Sequence, residues 1–334
     1  MNCTNLGSGY KPLYDLVLGV DGGGTHSKIV AVDFSGNVLA TEEFGNLNYN
    51  SDTMEVCRDR LLKAVHSILK KTGKVGYDFL SIGISSLQKE ATEDEKKAFL
   101  GDSFDLQKVL MQPDVYMTLS GASLGKPEVM IISGTGAMGI AKNRDGHVFT
   151  RGGYGYLIDS DKGSSYHIAM NGIIAVINEH ENIGEKTSLT QLLLKQFELS
   201  CVENIVQVVY SPDYHVSKVA TFAKEVIRAA LQKDKVAEGI VENCVDALVE
   251  FAIALANEIN EKACGINVYG GLFQYNKHIF DLFEQKIKVS LPDCNVKFPM
   301  FKAEIGAVIE FFLQQDMLTV ELLENLKKSS KRSE

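Results

Sequence analysis

The sequence predicts an α/β protein of two domains that are related by internal duplication. Two stretches, which begin near residues 16 and 129, share one order: a strand, a glycine-rich turn, a strand, a second turn and a third strand. Helical periodicity and further short apolar strands follow in both cases. A chain of 334 residues is long enough for two such domains.

The first half of the chain combines antiparallel and parallel strand connections. Three strands joined by glycine-containing turns predict an antiparallel meander, and the strand–helix–strand order that follows predicts parallel pairing. The predicted helices are 52–71 and 90–100. The predicted strands are 16–20, 27–34, 37–44, 79–85 and 108–112. This order predicts a mixed sheet flanked by helices.

The second half repeats that order and adds helices. Its predicted strands are 129–132, 137–142, 147–151, 266–269 and 295–298. Its predicted helices are 163–180, 187–198, 216–232, 236–263, 274–289 and 303–315. No Pro- or Ser-rich linker divides the chain, so we expect packed domains at 1–120 and 121–313, the second with a helical insertion. A helix at about 314–330 is expected to pack back on the first domain.

The composition argues against several classes of protein. The formal net charge of −9 argues against a nucleic-acid partner, and the basic run at 327–332 is interpreted as a solvated tail. The six cysteines form no CxxC pair and the seven histidines no HExxH motif, so neither a disulfide framework nor a protein-ligated metal centre is expected. No apolar run reaches membrane-spanning length and no signal-peptide pattern occurs, so we expect a cytoplasmic protein without a membrane partner.

The first glycine-rich turn has the residue types of a phosphate-binding loop. Gly22, Gly23 and Gly24 stand together between two strands, whereas an ordinary hairpin needs only one or two glycines. Such a run permits positive φ or the close approach of a ligand to backbone amides, which can bind an anion. Thr25 adds a hydroxyl group, and Asp21 adds a carboxylate able to hold Mg²⁺ through water.

A second turn repeats this arrangement. Gly134, Thr135 and Gly136 follow the predicted strand 129–132. Two such turns, one in each domain, predict that the phosphates of one nucleotide are held from both sides of a cleft. The pair Gly270–Gly271 also ends a strand, and it suits either close approach to a flat ligand such as adenine or a plain strand-to-helix turn.

Three motifs make the chain similar to a known family. They are GVDGGGTHSK at residues 19–28, ISGTG at 132–136 and RGGYGYL at 151–157. With them the chain resembles, over about residues 15–315, the N-acetylglucosamine kinase branch of the BadF/BadG/BcrA/BcrD ATPase family. The resemblance implies two ribonuclease H-like domains of the actin-like ATPase superfamily, each with a mixed five-stranded sheet. It also implies ATP and Mg²⁺ as cofactors.

The resemblance further implies an acceptor site for an amino sugar. Asp114, just after the predicted strand 108–112, matches the family's catalytic base, although an Asp in this place can also cap a helix. Asn48 matches an Asn that hydrogen-bonds the sugar, and a plain turn residue is the alternative. Gly153, Tyr154 and Gly155 match the segment that lies against the sugar, with Tyr154 in place of the more usual Trp.

The segment 158–164 departs from the Gly-Asp-Glu-Gly-Ser pattern of the family. It contains one extra residue, and Lys162 replaces the Glu. Counting back from Gly163 gives the sugar-binding role to Asp161, which we prefer, whereas counting forward from Gly153 gives it to Asp159. Lys162 is either a solvated residue at a helix start or a change that alters the preference for the sugar.

Together these observations predict an ATP-dependent amino sugar kinase. The expected substrate is N-acetylglucosamine, phosphorylated on its 6-hydroxyl group with Asp114 as the general base, and a homodimer is expected. N-acetylmuramic acid and glucosamine stay open as substrates. One alternative is an activator ATPase of the same family; such activators share an iron–sulfur cluster across a homodimer, whereas the cysteines here lie outside the motifs. A nucleotide-binding regulator without catalysis is the other alternative.

Overall fold

The part of the chain that the computed structural model describes divides into two compact units. Residues 10–87, 89, 91–158, 161–261 and 263–331 are described. The first unit runs to Gly125 and resumes at Pro299, and the second spans Lys126–Phe298. Among the described helices, none combines the length and apolar character that crossing a membrane requires.

The elements follow the predicted order closely. The strands are β1 (Val17–Gly22), β2 (His26–Val32), β3 (Val38–Gly45), β4 (Phe79–Ile84), β5 (Val109–Pro113), β6 (Glu128–Ser133), β7 (Ala137–Lys142), β8 (Val148–Gly152), β9 (Gly265–Tyr269) and β10 (Asn295–Lys297). The helices are α1 (Met54–Thr72), α2 (Glu93–Leu100), α3 (Asp114–Ser123), α4 (Ser165–His180), α5 (Leu189–Gln196), α6 (Ile205–Val209), α7 (Val216–Ala220), α8 (Ala223–Leu231), α9 (Lys235–Ile259), α10 (Gly271–Tyr275), α11 (Lys277–Ser290), α12 (Ala303–Gln314) and α13 (Val320–Ser330).

The two sheets have the same topology. The first has the order β3-β2-β1-β4-β5 and the second β8-β7-β6-β9-β10. In each, the first three strands form an antiparallel meander, and the remaining two extend the sheet in parallel. This repetition confirms the predicted fold class of two α/β domains with mixed five-stranded sheets.

Each sheet is covered by helices. In the first unit, α1 and α2 pack on one face against Leu18 and Val20, while α3, α12 and α13 pack on the other. Phe79 of β4 stacks on Phe311 of α12 with ring centroids 4.3 Å apart. In the second unit, β6, β7 and β9 pack against α9 and the helices that precede it. The buried apolar strands therefore form the interior of each unit.

Helix α12 departs from the predicted domain limits. The prediction assigned residues up to 313 to the second domain, but α12 packs on β1 and α3 within the first unit. Glycines allow the contact: a Cβ atom on Gly306 would lie 2.0 Å from the carbonyl oxygen of Met117, and one on Gly19 would lie 2.3 Å from that of Glu304. The chain therefore returns to the first unit at Pro299, and the first crossing follows Gly125 instead of residue 120.

Two further differences concern helices. The predicted helices 216–232 and 274–289 are each divided in two, and 236–263 ends at Ile259 because Asn260 adopts a left-handed φ of 53°. The basic run predicted as a solvated tail belongs largely to α13, whose Leu322 and Leu326 are buried in the first unit. Residues 332–334 lie outside the described part of the chain.

Candidate functional site

The first glycine turn follows β1, and its glycines have different reasons to be there. A Cβ atom on Gly22 would lie 2.5 Å from the carbonyl oxygen of Gly83, and one on Gly23 would lie 2.4 Å from that of His26. Neither has a positive φ, so close backbone contact is what requires glycine. Gly24 is different, because it is exposed and its Cβ position is 3.7 Å from the nearest protein atom. Its backbone is therefore open to a ligand.

Asp21 and Asp114 lie near each other at the carboxyl ends of parallel strands. Asp21 of β1 pairs with Gly83 of β4, and a Cβ atom on Gly83 would lie 2.9 Å from the Cα atom of Asp114. Asp114 is the first residue of α3, where Pro113 takes the N-cap position, so Asp114 is not the cap itself. Its Oδ1 accepts a hydrogen bond of 2.8 Å from the amide of Val115.

Both carboxyl groups have raised pKa values. Burial raises the pKa of Asp21 to about 7, with further contributions from the charges of Asp114 and Glu304 and an opposing one from Lys28. Burial raises the pKa of Asp114 to about 6, against the hydrogen bond from Val115 that lowers it. The site thus concentrates negative charge in a poorly solvated place. A bound cation would relieve this repulsion.

Glu304 and Ser85 also belong to this site, although neither lies in a recognised motif. Glu304 is buried in the first turn of α12, where it acts on the charge of Asp21. The backbone amide of Ser85 donates a hydrogen bond of 2.9 Å to the carbonyl oxygen of Gly22. The hydroxyl oxygen of Ser85 lies 3.9 Å from the Cβ position of Gly24. The signal for Glu304 was an acidic residue inside an apolar helical pattern.

Asn48 makes a turn contact, and its side-chain amide lies near the first glycine turn. Its Oδ1 accepts a hydrogen bond of 2.9 Å from the backbone amide of Asn50, a contact typical of an Asn in a turn. Its Nδ2 lies 3.7 Å from the Cβ position of Gly24. The side-chain amide therefore faces the first glycine turn, and it can donate to a ligand held there.

The second glycine turn is held by the segment that begins α4. The backbone amide of Ser165 donates a hydrogen bond of 2.8 Å to the carbonyl oxygen of Gly134, and that of Tyr166 donates one of 3.3 Å to the carbonyl oxygen of Thr135. The Ser133 hydroxyl group donates a hydrogen bond of 2.6 Å to the carbonyl oxygen of Gly163. Gly134 has no protein atom within 4 Å of its Cβ position. Gly134 thus has open space at its Cβ position, while its amide donates a hydrogen bond of 2.9 Å to the carbonyl oxygen of Gly136 within the turn.

The third glycine pair and Asp161 both lie beside this second turn. Gly270 has a φ of 97°, and its Cβ atom would lie 2.3 Å from the carbonyl oxygen of Ser133. Gly271 has only an ordinary contact, 3.6 Å from Tyr275. Asp161 is buried, and its Oδ2 is 3.2 Å from the Cβ position of Gly136. The candidate sugar-binding carboxylate therefore lies directly on the predicted phosphate turn.

The glycine–tyrosine segment forms an exposed turn. Gly153 and Gly155 have φ values of 77° and 86°, which glycine adopts without strain. The side chain of Tyr154 between them is 72% exposed, and Lys162 is exposed as well. Asp159, the alternative to Asp161, lies outside the described residues.

The side chains at the first turn suit a magnesium ion that is held partly by water and phosphates better than a metal ion held by protein ligands alone. Asp21 offers carboxylate oxygens, which Mg²⁺ prefers. Within the described ranges, no three His, Cys, Asp or Glu side chains are arranged to hold a metal ion. Mg²⁺ characteristically binds through one or two carboxylates and completes its coordination with water and substrate phosphates. The residues present fit that mode of binding.

The raised pKa values predict how stability depends on pH without ligands. Both groups bind protons more tightly in the folded state, so the free energy of unfolding should fall as pH rises from about 4 towards 7. The fall is about 1.4 kcal/mol for each tenfold difference in proton affinity between the folded and unfolded states. In Asp21→Asn this dependence should weaken, and the variant should exceed the wild type in stability above pH 7. Urea unfolding of both ligand-free proteins at several pH values measures how the free energy of unfolding depends on pH.

Asp105→Asn provides the control, because Asp105 is exposed and belongs to the same unit. It should keep the wild-type pH dependence. If Asp21→Asn had the same pH dependence as the wild type, the electrostatic description of the site would be wrong.

Comparison with known proteins agrees with the fold and the motifs. An N-acetylmuramic acid/N-acetylglucosamine kinase from Clostridium acetobutylicum is 26% identical over 302 residues, covering 88% of this chain and 97% of the relative. An N-acetyl-D-glucosamine kinase from Dictyostelium discoideum is 25% identical over 313 residues, with the same coverage of each chain.

Solved structures resemble the fold. A Chromobacterium violaceum protein described as a candidate N-acetylglucosamine kinase has a TM-score of 0.70 at 21% identity, covering 89% of this chain and 98% of the other. A ROK family glucokinase from Streptomyces griseus, solved with glucose and AMPPNP, has a TM-score of 0.52 at 16% identity, with the same coverage of each chain. The sequence model of the BadF/BadG/BcrA/BcrD ATPase family matches residues 18–310. The chain belongs to that family.

Proposed function

We propose that this protein catalyses the ATP-dependent phosphorylation of an amino sugar, N-acetylglucosamine, on its 6-hydroxyl group. The observation that carries the proposal is the placement of Asp114 beside Asp21 and the open backbone of Gly24. A kinase that acts on a hydroxyl group needs a carboxylate base next to a phosphate-binding site. The names of the curated relatives, which are kinases of amino sugars, support the choice of acceptor.

The nucleotide is assigned to the glycine turns. The backbone of 21–25 and 133–136 holds the phosphates, and the open Cβ positions of Gly24 and Gly134 support this assignment. Gly270 and Gly271 take the adenosine end. When bound, ATP with Mg²⁺ supplies the phosphoryl group and offsets the negative charge of the site. Asp21 would hold the metal through water, and the Thr25 hydroxyl group would contribute a further polar contact.

Asp114 acts as the general base. Its raised pKa of about 6 makes it a stronger proton acceptor than an ordinary carboxylate while it stays mostly ionised above pH 7. Its carboxylate would receive the proton of the sugar hydroxyl group as that oxygen attacks the γ-phosphorus of ATP, while the bond from that phosphorus to the bridging oxygen breaks and ADP leaves. The hydrogen bond from Val115 fixes one carboxylate oxygen, which leaves Oδ2 for the acceptor.

Three polar or aromatic side chains are assigned to orient the sugar. Asn48 donates from its side-chain amide, and Asp161 accepts hydrogen bonds from sugar hydroxyl groups. Tyr154, held between Gly153 and Gly155, covers an apolar face of the ring, and its exposure keeps it accessible to a ligand. N-acetylmuramic acid and glucosamine, which the names of two relatives contain, are the competing acceptors.

Asp114→Asn tests the base. Asn keeps the size of the side chain but takes up no proton, so sugar phosphorylation should fall about 10²–10⁴-fold. ATP affinity should stay within about twofold of the wild type, because the glycine turns are intact. Coupled ADP-release kinetics and calorimetric ATP titration measure the two quantities.

The matched control is again Asp105→Asn, with wild-type turnover expected. Near-normal turnover in Asp114→Asn would remove Asp114 from the role of base.

Gly134→Ala tests the second turn. No protein atom lies within 4 Å of the new methyl group and φ is not positive, so the unfolding midpoint should not change. The methyl group would nevertheless stand where a phosphate approaches the backbone. We expect ATP affinity to fall at least about tenfold, measured by titration calorimetry.

Gly239→Ala in α9 is the matched control, because its Cβ position is equally open and its φ is not positive. It should bind ATP as the wild type does. Unchanged ATP affinity in Gly134→Ala would exclude a phosphate-binding role for this turn.

A further inference from the structure

The first unit contains a cavity of about 930 Å³ that the proposed reaction does not use as a whole. Strands β2 and β3 form its floor, through residues such as Ile29 and Thr41. The segment that enters α12 forms one wall, and the C-terminal end of α13 forms another. A volume of this size is within the range of small-molecule sites, about 300–1,000 Å³.

The lining of this cavity is basic, although the whole chain has a net charge of −9. Five lysines line it against three glutamates. The lysines are Lys28, Lys71, Lys302, Lys327 and Lys331. They come from four separate parts of the chain: β2, the end of α1, the start of α12 and the end of α13. Charges gathered from distant segments create a local positive potential.

Two of these lysines are already balanced by carboxylates. Lys28 lies 2.9 Å from Glu43, and Lys71 lies 2.9 Å from Glu42. Within the described part of the chain, Lys327 and Lys331 form no ion pair. The positive charge at the end of α13 therefore borders the cavity without a carboxylate partner among the described residues.

Helix α13 is anchored where it meets the cavity. The Ser329 hydroxyl oxygen accepts a hydrogen bond of 3.0 Å from the amide of Val38 at the start of β3. The side-chain amide of Asn325 donates a hydrogen bond of 2.8 Å to the carbonyl oxygen of Ser35. Leu322 and Leu326, which are buried, lie on the same face of the helix as Ser329 and hold it against the first unit. Lysines in a last helical turn also favour the helix dipole, which accounts for Lys71 and Lys327 one by one, but not for Lys302 at the start of α12 or for their convergence on one cavity.

We propose that this cavity is a binding site for a small phosphate-bearing anion, either inorganic phosphate or a phosphate monoester. Lysine binds phosphate as a point charge, and the hydroxyl groups of Thr41 and Ser330 in the lining offer additional hydrogen bonds. The site does not depend on the proposed kinase activity.

Calorimetric titration of the full ligand-free chain with inorganic phosphate and with glucose 6-phosphate tests the site, at ionic strength matched with chloride. Lys327→Gln/Lys331→Gln should weaken binding of the preferred probe at least about tenfold, because both unpaired charges are lost. Tighter binding of one probe identifies which phosphate source the cavity takes. Raising the salt concentration should weaken binding in the wild type.

Lys328→Gln is the matched control, because Lys328 belongs to the same last turn but pairs with Glu324 outside the cavity. It should bind the probe within about twofold of the wild type. Phosphate bound at the glycine turns would persist in the double variant and be lost in Gly134→Ala. The proposal is overturned if the double variant binds both probes as the wild type does, or if Lys328→Gln weakens binding equally.

Discussion

The close packing of α3 and α12 against the central strands of the first sheet is the constraint on which the candidate site depends. Gly83 lets the start of α3 lie on β4, and Gly19 and Gly306 let α12 lie on β1 and α3. Larger residues at these positions would overlap backbone atoms. Because the strands are in register, this packing places Asp114 beside Asp21 at the carboxyl edge of the sheet. Ligand sites of α/β sheets lie at such edges.

That placement has an electrostatic cost, which the proposed chemistry uses. Burial raises the pKa values of Asp21 and Asp114, and Glu304 adds further negative charge near Asp21. Perturbed carboxyl groups at the end of parallel strands are typical of functional sites, since a stable interior alone gives no reason to gather them. A magnesium ion with nucleotide phosphates would relieve the repulsion at Asp21. Asp114 would then remain as an ionised base near neutral pH.

Much of the fold could be predicted because its signals are local. Glycine turns, alternation of apolar residues and helical periodicity give the two meanders and most element limits to within a few residues. Strand order and the duplication follow from these elements and from rules of connection. The membership of α12 in the first unit was not predictable in this way, because it depends on which distant surface its apolar face contacts. Glycine at 306, which permits that contact, looks unremarkable in the sequence.

The candidate site shows the same division between local and distant signals. Asp21, the glycine turns and Asp114 were identifiable because they lie in or beside recognisable motifs. Glu304 and Ser85 were missed because only tertiary packing brings them to Gly24 and Asp21. The contact between Asp161 and Gly136 likewise joins residues that counting along the chain cannot relate. Sequence motifs thus predicted a chemistry for these residues, and the structure shows which neighbours surround them.

The central claim is that an amino sugar receives the phosphoryl group of ATP. Its most direct test is ADP release measured with N-acetylglucosamine, N-acetylmuramic acid and glucosamine, each against a blank without sugar, followed by identification of the phosphorylated product. We expect ADP release to depend on the sugar, to be fastest with N-acetylglucosamine and to yield the 6-phosphate. ATP turnover at a comparable rate without any sugar would contradict this claim and favour an ATPase activator or regulator.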